Sequence, residues 1–426
     1  MVALCAHAAQ IANIEYVHKM IEHKWDITVP YNPALNNVKT MANMKYLLTA
    51  IDVANQILNG EKTTDYGNGE FATTQVADTT ATNAAVETLI KKEQKHEFTL
   101  TTTSDTSSFG FSISAAGEFV VDWGDGTVET ITKPDTTNTI YSHNYDTANT
   151  YTIGLSGQAT AYNTDTYTAA ISFYVNYSDT QSKKIASIDG SLGAIFGTLS
   201  SGTNNQPRFY NTFHKASNMT GSIPENLFAG ISGAPATHMF YQTFRGCSGL
   251  TGAIPSGLFA GISGAPAMSM FESTFAGCSG LTGAIPSGLF AGISGAPAMY
   301  MFAGTFSGCS GLTGAIPSGL FAGISGAPAM SMFDGTFADC SGLTSIPENL
   351  FGDISGTAQS AMFHETFYNC RSLTGPSARI NGQYLYEIWP GVTGAYVGNM
   401  YAGCIGLSDY SSISYPWKPM SDLDPL

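Results

Sequence analysis

The residues best placed for chemistry in this 426-residue chain are cysteines at a fixed spacing. Five of the seven recur every 30 or 31 residues: Cys247, Cys278, Cys309, Cys340 and Cys370. A zinc site uses close pairs such as CxxC, and one cysteine per repeat offers none. The first repeat has Ala216 at the same position, so a thiol is not required there. The spacing therefore predicts a buried ladder of free, reduced side chains rather than metal sites or disulfides.

Carboxylates offer a second possible chemistry. Asp122 and Asp125 could supply oxygen ligands to Ca²⁺, but their surroundings do not match an EF-hand loop, and turn-forming aspartates are the alternative. Gly124 lies between the two aspartates and Gly126 follows Asp125, at positions where a tight turn requires positive φ. The repeats hold too few acidic residues to pick out a glycosidase pair, and the histidines are scattered. We expect no catalytic residue, no metal and no cofactor.

Charge and hydropathy exclude several classes of partner. The net charge is -15 with only 17 lysines and arginines, so nucleic acid and anionic membranes are not expected partners. No stretch reaches the ~20 apolar residues that span a bilayer. The first ten residues lack the basic region of a signal peptide, and the last six do not resemble a wall-sorting tail.

Residues 1–60 are predicted to form two helices that anchor and oligomerise the protein. Apolar residues of the second helix alternate three and four apart, which is typical of a heptad seam with one polar residue at a core position. The seam comprises Met41, Met44, Leu48, Ile51, Asn55 and Leu58. An ordinary amphipathic helix packed on the first one is the alternative. Residues 61–95 are interpreted as a polar linker with a short helix.

The next segment, 96–184, changes to a period of two, which predicts a small antiparallel β-sandwich. The string Asp122-Trp123-Gly-Asp-Gly-Thr127, followed by His143-Asn-Tyr145 and by Tyr-Thr-Ile from residue 151, resembles the signature of PKD-type β-sandwich domains. This resemblance implies that Trp123 and Tyr145 help to build the core. It also implies a spacer or adhesion module rather than a catalyst.

Residues 185–374 contain the 31-residue repeat, and such a period predicts a solenoid in which each repeat stacks on its neighbours. In each repeat we expect a short helix from Met270, a short strand from Leu281 to Ile285 and a second short helix from Pro286. The expected internal rows are Phe244, Phe275, Phe306 and Phe337, with Leu250, Leu281, Leu312 and Leu343. Residues 375–426 are interpreted as a C-terminal cap.

The repeat unit resembles the BspA-like leucine-rich repeats of bacterial surface proteins. The matching core runs from Thr274-Phe275 through Cys278 and Leu281 to Ile285-Pro286, although the repeat is longer than that family's usual unit. The predicted fold class is a modular α+β protein. It combines N-terminal helices, a PKD- or Ig-like antiparallel β-sandwich and a C-terminal leucine-rich-repeat-type α/β solenoid.

These observations favour a non-enzymatic structural and adhesion protein. Our main hypothesis is a bacteriophage virion fibre of the head or tail, bound through its N-terminus to other virion proteins. The repeats would contact a glycan or protein of the host surface. We expect a homo-oligomer and favour a trimer. The alternatives are a BspA-like bacterial cell-surface or secreted adhesin and, third, a polysaccharide depolymerase.

Overall fold

The computed structural model describes residues 96–200 and 205–419. The predicted N-terminal helices, the seam from Met41 to Leu58 and the linker at 61–95 lie outside the described residues. The chain from His96 onward forms one compact unit. Within its described part, no helix is long and apolar enough to cross a bilayer.

Eight strands between residues 98 and 190 form two antiparallel sheets. One sheet has the order β4-β3-β6-β1-β8 and the other the order β5-β2-β7. The strands are β1 (Phe98–Thr102), β2 (Thr106–Ile113), β3 (Ala116–Asp122), β4 (Val128–Lys133), β5 (Thr139–Asn149), β6 (Thr152–Ala161), β7 (Ile171–Ser172) and β8 (Ile185–Gly190). Burial alternates along β1, which places one face of that sheet against a core.

Aromatic rings join the two sheets. Phe98 of β1 stacks on Phe173, which follows β7, at 6.2 Å between ring centroids. Phe111 of β2 lies 5.6 Å from Trp123, directly after β3. Trp123 and Tyr145 are both buried, and the Tyr145 hydroxyl donates to the Trp123 carbonyl at 2.8 Å. The polar end of Tyr145 is therefore satisfied inside the core.

The sheets also supply the layer on which the first repeat is built. The Thr220 N–H donates to the carbonyl of Ala186 in β8 at 2.8 Å. The Thr212 hydroxyl donates to the carbonyl of Ile171 in β7, also at 2.8 Å. Phe173 stacks on Phe213 at 5.3 Å. Strand β8 is the edge strand of the large sheet, and it carries the first repeat. It lies just beyond residue 184, the predicted end of the sandwich.

The predicted fold class is wrong: residues 205–374 are not a leucine-rich-repeat-type α/β solenoid, because the predicted helices are series of turns and the strands are only two or three residues long. Turns make up most of residues 205–419. The strands are β9 (Gly314–Ala315), β10 (Ser325–Gly326), β11 (Leu343–Ser345), β12 (Asp353–Ile354), β13 (Arg379–Ile380) and β14 (Gln383–Tyr384). The α-helices of the described residues are α1 (Leu192–Ile195), α2 (Leu385–Ile388) and α3 (Gly394–Val397), and the 3₁₀ turns are Val175–Tyr177, Ser182–Lys184 and Tyr410–Ser412.

The backbone explains why the segment from Met270 to Cys278 is not a helix. Every fourth residue has left-handed φ: 52° at Ser269, 54° at Ser273 and 74° at Gly277. Such a residue breaks the helical bond pattern. The Thr274 N–H then bonds within its own turn, to Phe271 O at 3.2 Å, whereas the Ser273 N–H bonds to Ala303 O of the next repeat at 2.8 Å. Residues four apart therefore resemble the period of a helix. About half of the backbone N–H groups, however, donate to the next repeat and not to carbonyls within the segment.

Phenylalanine columns fill the core between repeats. Within a column, neighbouring rings lie 5.4 to 6.4 Å apart with interplanar angles of at most 12°. The columns are Phe209, Phe240, Phe271, Phe302, Phe333 and Phe363; Phe213, Phe244, Phe275, Phe306, Phe337 and Phe367; and Phe228, Phe259, Phe290, Phe321 and Phe351. Leu250, Leu281, Leu312 and Leu343 are also fully buried. Each ring inside a column therefore lies between two phenylalanine rings of the same column.

The last repeat is covered by aromatic residues of the C-terminal segment. Trp389 lies 5.8 Å from Phe363, and its indole N–H donates to Gly356 O at 2.8 Å. Tyr401 continues the second column after Phe367 and is followed by Trp417 at 6.5 Å. Both tryptophans are buried, so the apolar end of the stack does not face water.

Candidate functional site

The repeated cysteines are structural hydrogen-bond donors in the described residues. Each thiol is free, buried and close to the carbonyl of a phenylalanine in the preceding repeat, as at Cys278 Sγ to Phe244 O, 3.0 Å. The same geometry recurs at Cys247, Cys309, Cys340, Cys370 and Cys404. Thr274, four residues earlier, donates to Phe240 O at 2.8 Å in the same way. Burial raises the pKa of the Cys278 thiol well above its usual range, which disfavours the nucleophilic thiolate.

This burial predicts the reactivity of the thiols. With Cys5 replaced by serine, because Cys5 lies outside the described residues, we expect no thiol to react with Ellman's reagent in the native protein. All six remaining cysteines should react in guanidinium chloride. The measurement is absorbance against time in both conditions. Rapid native reaction of even one equivalent would contradict the buried ladder.

The aspartates of the 122–127 turn bond to their own backbone. Asp122 Oδ1 accepts from the Gly124 N–H, and Asp125 Oδ1 accepts from the Thr127 N–H, both at 2.9 Å. The other oxygen of Asp125 lies 2.7 Å from His143 Nε2. Gly124 and Gly126 have φ of 85° and 97°, as the turn requires. The remaining oxygen of Asp122 lies 3.6 Å from His96 Nε2, so both carboxylates have partners within the protein. The described residues contain no group of three His, Cys, Asp or Glu that could hold a metal ion.

A comparison of the repeats with one another locates a different candidate site. The second, third and fourth repeats (239–269, 270–300 and 301–331) differ at four of their 31 positions and are identical elsewhere. Those positions hold Tyr241, Glu272 and Ala303; Gln242, Ser273 and Gly304; Arg245, Ala276 and Ser307; and Ser269, Tyr300 and Ser331. All four lie in or next to the turns whose buried residues form the cysteine and threonine ladders. We call the surface made by these positions along the repeats the variable face.

Side-chain contacts join three of the four positions at the first repeats. Gln242 Nε2 donates to the Tyr241 hydroxyl at 2.9 Å. His238, which occupies the position of Ser269 in the preceding repeat, lies 5.4 Å from the Tyr241 ring. Tyr210, one repeat before Tyr241, stacks on it at 4.8 Å with an interplanar angle of 6°. The variable positions thus contact one another within a repeat and between repeats.

Packing does not explain why the variation falls on this face. Ser287, Ala291 and Ser294 are exposed, yet they match their counterparts in the repeats before and after them. Exposed positions tolerate substitution with little effect on stability. If solvent exposure alone allowed change, differences would also occur at these positions. The variable positions are themselves half-buried or buried except at Arg245, so the differences between repeats do not follow solvent exposure.

Charges on the variable face are partly buried. Burial raises the pKa of Glu272, and the Asp334 carboxylate adds to the rise, whereas a hydrogen bond with Ser269 opposes it. Burial likewise raises the pKa of Asp334, although the His364 Nδ1–H donates to its Oδ1 at 3.1 Å. The face changes from aromatic and basic residues at its first repeats to acidic residues and histidine at its last.

Comparison with protein-family models, with curated proteins and with solved structures found no match to this chain. The function is therefore inferred from the chain's own geometry. The predicted site residues of the repeat are its constant cysteines, phenylalanines and leucines, and these lie in the core. The variable face was not predicted. The signal that could have found it is the position-by-position comparison of the near-identical repeats.

Proposed function

We propose that this protein is a non-enzymatic binding protein that recognises its partner through the variable face. The observation that carries the proposal is the confinement of the differences between repeats to four positions in or next to the same turns, on an otherwise identical framework. A framework that holds each repeat in the same conformation can present different side chains at the same four positions. Tyrosine and arginine, which occur there, are the residues most enriched at binding hot spots.

We further propose an adhesive role on a particle or cell surface. The resemblance of the 122–127 turn and Tyr145 to PKD-type domains supports a spacer or adhesion module. The favoured setting is a bacteriophage virion fibre, trimeric and bound to the particle through its N-terminal segment, with the variable face towards the host. A bacterial cell-surface or secreted adhesin is the alternative. Fractionation distinguishes them, because the first predicts co-purification with phage particles and the second with the bacterial envelope.

A grafting experiment tests the variable face without altering the framework. At three of the four variable positions, the second and third repeats receive the residues that the fourth already has, and Tyr300 is left unchanged. The changes are Tyr241→Ala, Gln242→Gly, Arg245→Ser, Glu272→Ala, Ser273→Gly and Ala276→Ser. Because Ala303, Gly304 and Ser307 already occupy these sites, the variant should fold. We expect its adsorption to whole bacterial cells to fall at least tenfold, measured by co-sedimentation across a panel of strains.

The matched control changes six exposed constant positions in the same two repeats. It contains Thr251→Ser, Ser256→Ala, Ala260→Ser, Thr282→Ser, Ser287→Ala and Ala291→Ser, and its adsorption should equal that of the unaltered protein. Equal adsorption by the grafted variant, with an unchanged melting temperature, would refute the proposal. New reducing ends released from capsular polysaccharide by the purified protein would instead establish the depolymerase alternative.

A further inference from the structure

We propose that the first repeats of the variable face bind a neutral carbohydrate on an aromatic platform, which we call the tyrosine patch. The patch consists of Tyr167, Tyr210, His238 and Tyr241. This inference rests on the proposed function and adds to it a location and a class of ligand.

The patch combines residues from distant parts of the chain. Tyr167 comes from the loop after β6 and lies 4.5 Å from His238 and 5.9 Å from Tyr210. Tyr210 and Tyr241 come from successive repeats and stack in parallel. Tyr167 is 58% exposed, so its ring is available to a ligand. Large exposed aromatic side chains with neighbouring rings are characteristic of interaction sites.

Hydrogen bonds fix the loop that carries Tyr167 against the repeats. The Arg208 guanidinium donates from Nη1 to Asn163 O at 3.1 Å and from Nε to Thr237 O at 3.0 Å. His238 Nδ1 donates to Thr166 O at 3.2 Å. Arg208 and His238 are themselves buried. The rings are therefore held in place before a ligand arrives, which reduces the entropy lost on binding.

The chemistry of the patch matches a sugar better than a protein or a nucleic acid. A pyranose presents an apolar face of C–H groups for stacking on a flat ring and hydroxyls around its rim. Burial and the neighbouring phenols raise the pKa of Tyr210 to about 12, so that its hydroxyl stays a neutral donor. Gln242 and the exposed Arg245 supply further polar groups beside Tyr241.

The neighbouring surface argues against a protein partner of standard size. Such an interface buries about 800 Å² on each side around apolar anchors. Beyond the patch, the variable positions of the third and fourth repeats carry a single aromatic side chain, Tyr300, and continue through Ala303, Gly304 and Ser307, which provide no anchor. The net charge of -15 opposes nucleic acid. A chain of neutral sugars needs only the platform and its polar rim.

A printed array of neutral bacterial and plant polysaccharides, probed with the fluorescently labelled full chain, tests the inference. We expect binding to at least one polysaccharide, weakened at least tenfold by Tyr167→Ala and by Tyr241→Ala. Tyr415→Ala is the matched control, since Tyr415 is also 58% exposed but lies near the C-terminus, and its binding should be unchanged. Thermal melting of each variant tests whether it is folded. The fourth repeat already has alanine, Ala303, at the position of Tyr241, so a repeat accommodates that change.

Two outcomes would overturn the carbohydrate assignment. One is the absence of binding to every polysaccharide, and the other is binding that both tyrosine variants retain in full. Adsorption to whole cells separates these outcomes from failure of the proposed function. If the protein adsorbs to cells and protease treatment of the cells abolishes adsorption, the partner is a protein and only the carbohydrate assignment fails. If it adsorbs to no cells, the adhesive function itself fails.

Discussion

Deletion of residues 270–285, about half of the third repeat, is expected to unfold the repeat region. The deletion removes Phe271 and Phe275 and leaves Phe290 without Phe271, its ring neighbour from the same repeat. Truncation of one buried phenylalanine costs about 3–5 kcal/mol, and a domain is stabilised by only about 5–15 kcal/mol. The loss of two rings therefore approaches the whole stability. Circular dichroism during heating should show no cooperative transition for the repeats.

The matched control is deletion of residues 270–300, one whole repeat. This removes more residues, yet it joins Ser269 to Met301 and recreates the Ser331–Met332 junction that the chain already contains. Phe240 then meets Phe302 as it now meets Phe271. We expect a cooperative transition within a few degrees of that of the full chain. Equal melting of both deletions would contradict a core shared between neighbouring repeats.

The sequence allowed prediction of which residues are buried but not of the backbone that buries them. Phe275, Cys278 and Leu281 recur with the repeat, and the structure buries all three. The helix predicted from Met270 is wrong because apolar residues four apart fit both an α-helix and a series of four-residue turns. What separates these structures is the left-handed backbone at Ser269, Ser273 and Gly277. Only Gly277 signals that conformation by its residue type.

The same ambiguity hid the candidate site. In a helix, Glu272 and Ala276 would lie on an ordinary solvent-facing side, and nothing would connect them with the equivalent positions of neighbouring repeats. In the turns, these positions form a surface with their counterparts in the neighbouring repeats, as Tyr210 and Tyr241 show. The contact of Tyr167 with His238 depends on a loop of the β-sheet region, and no pattern within the repeat could have indicated it.

Replacement of Gly292 by alanine should be among the most destabilising single-methyl changes in this protein. An added Cβ would overlap the carbonyl oxygen of Ile262 in the preceding repeat. The equivalent residues Gly261 and Gly323 face the same obstacle. Backbone on both sides cannot move without breaking bonds between repeats, such as Gly264 N to Gly292 O at 2.9 Å. We expect a loss of about 3 kcal/mol or more, at the upper end of overpacking effects, measured by guanidinium denaturation.

Gly288→Ala is the matched control within the same repeat. Its added Cβ would meet nothing within 4 Å, and its φ does not lie in the left-handed region. The change should therefore be neutral or stabilise by up to about 1 kcal/mol, because alanine restricts the unfolded chain. If Gly292→Ala and Gly288→Ala unfold at the same denaturant concentration, the repeats do not approach each other at Ile262 as closely as described. The distance between repeats would then be set by the phenylalanine columns alone, without a backbone contact to fix it.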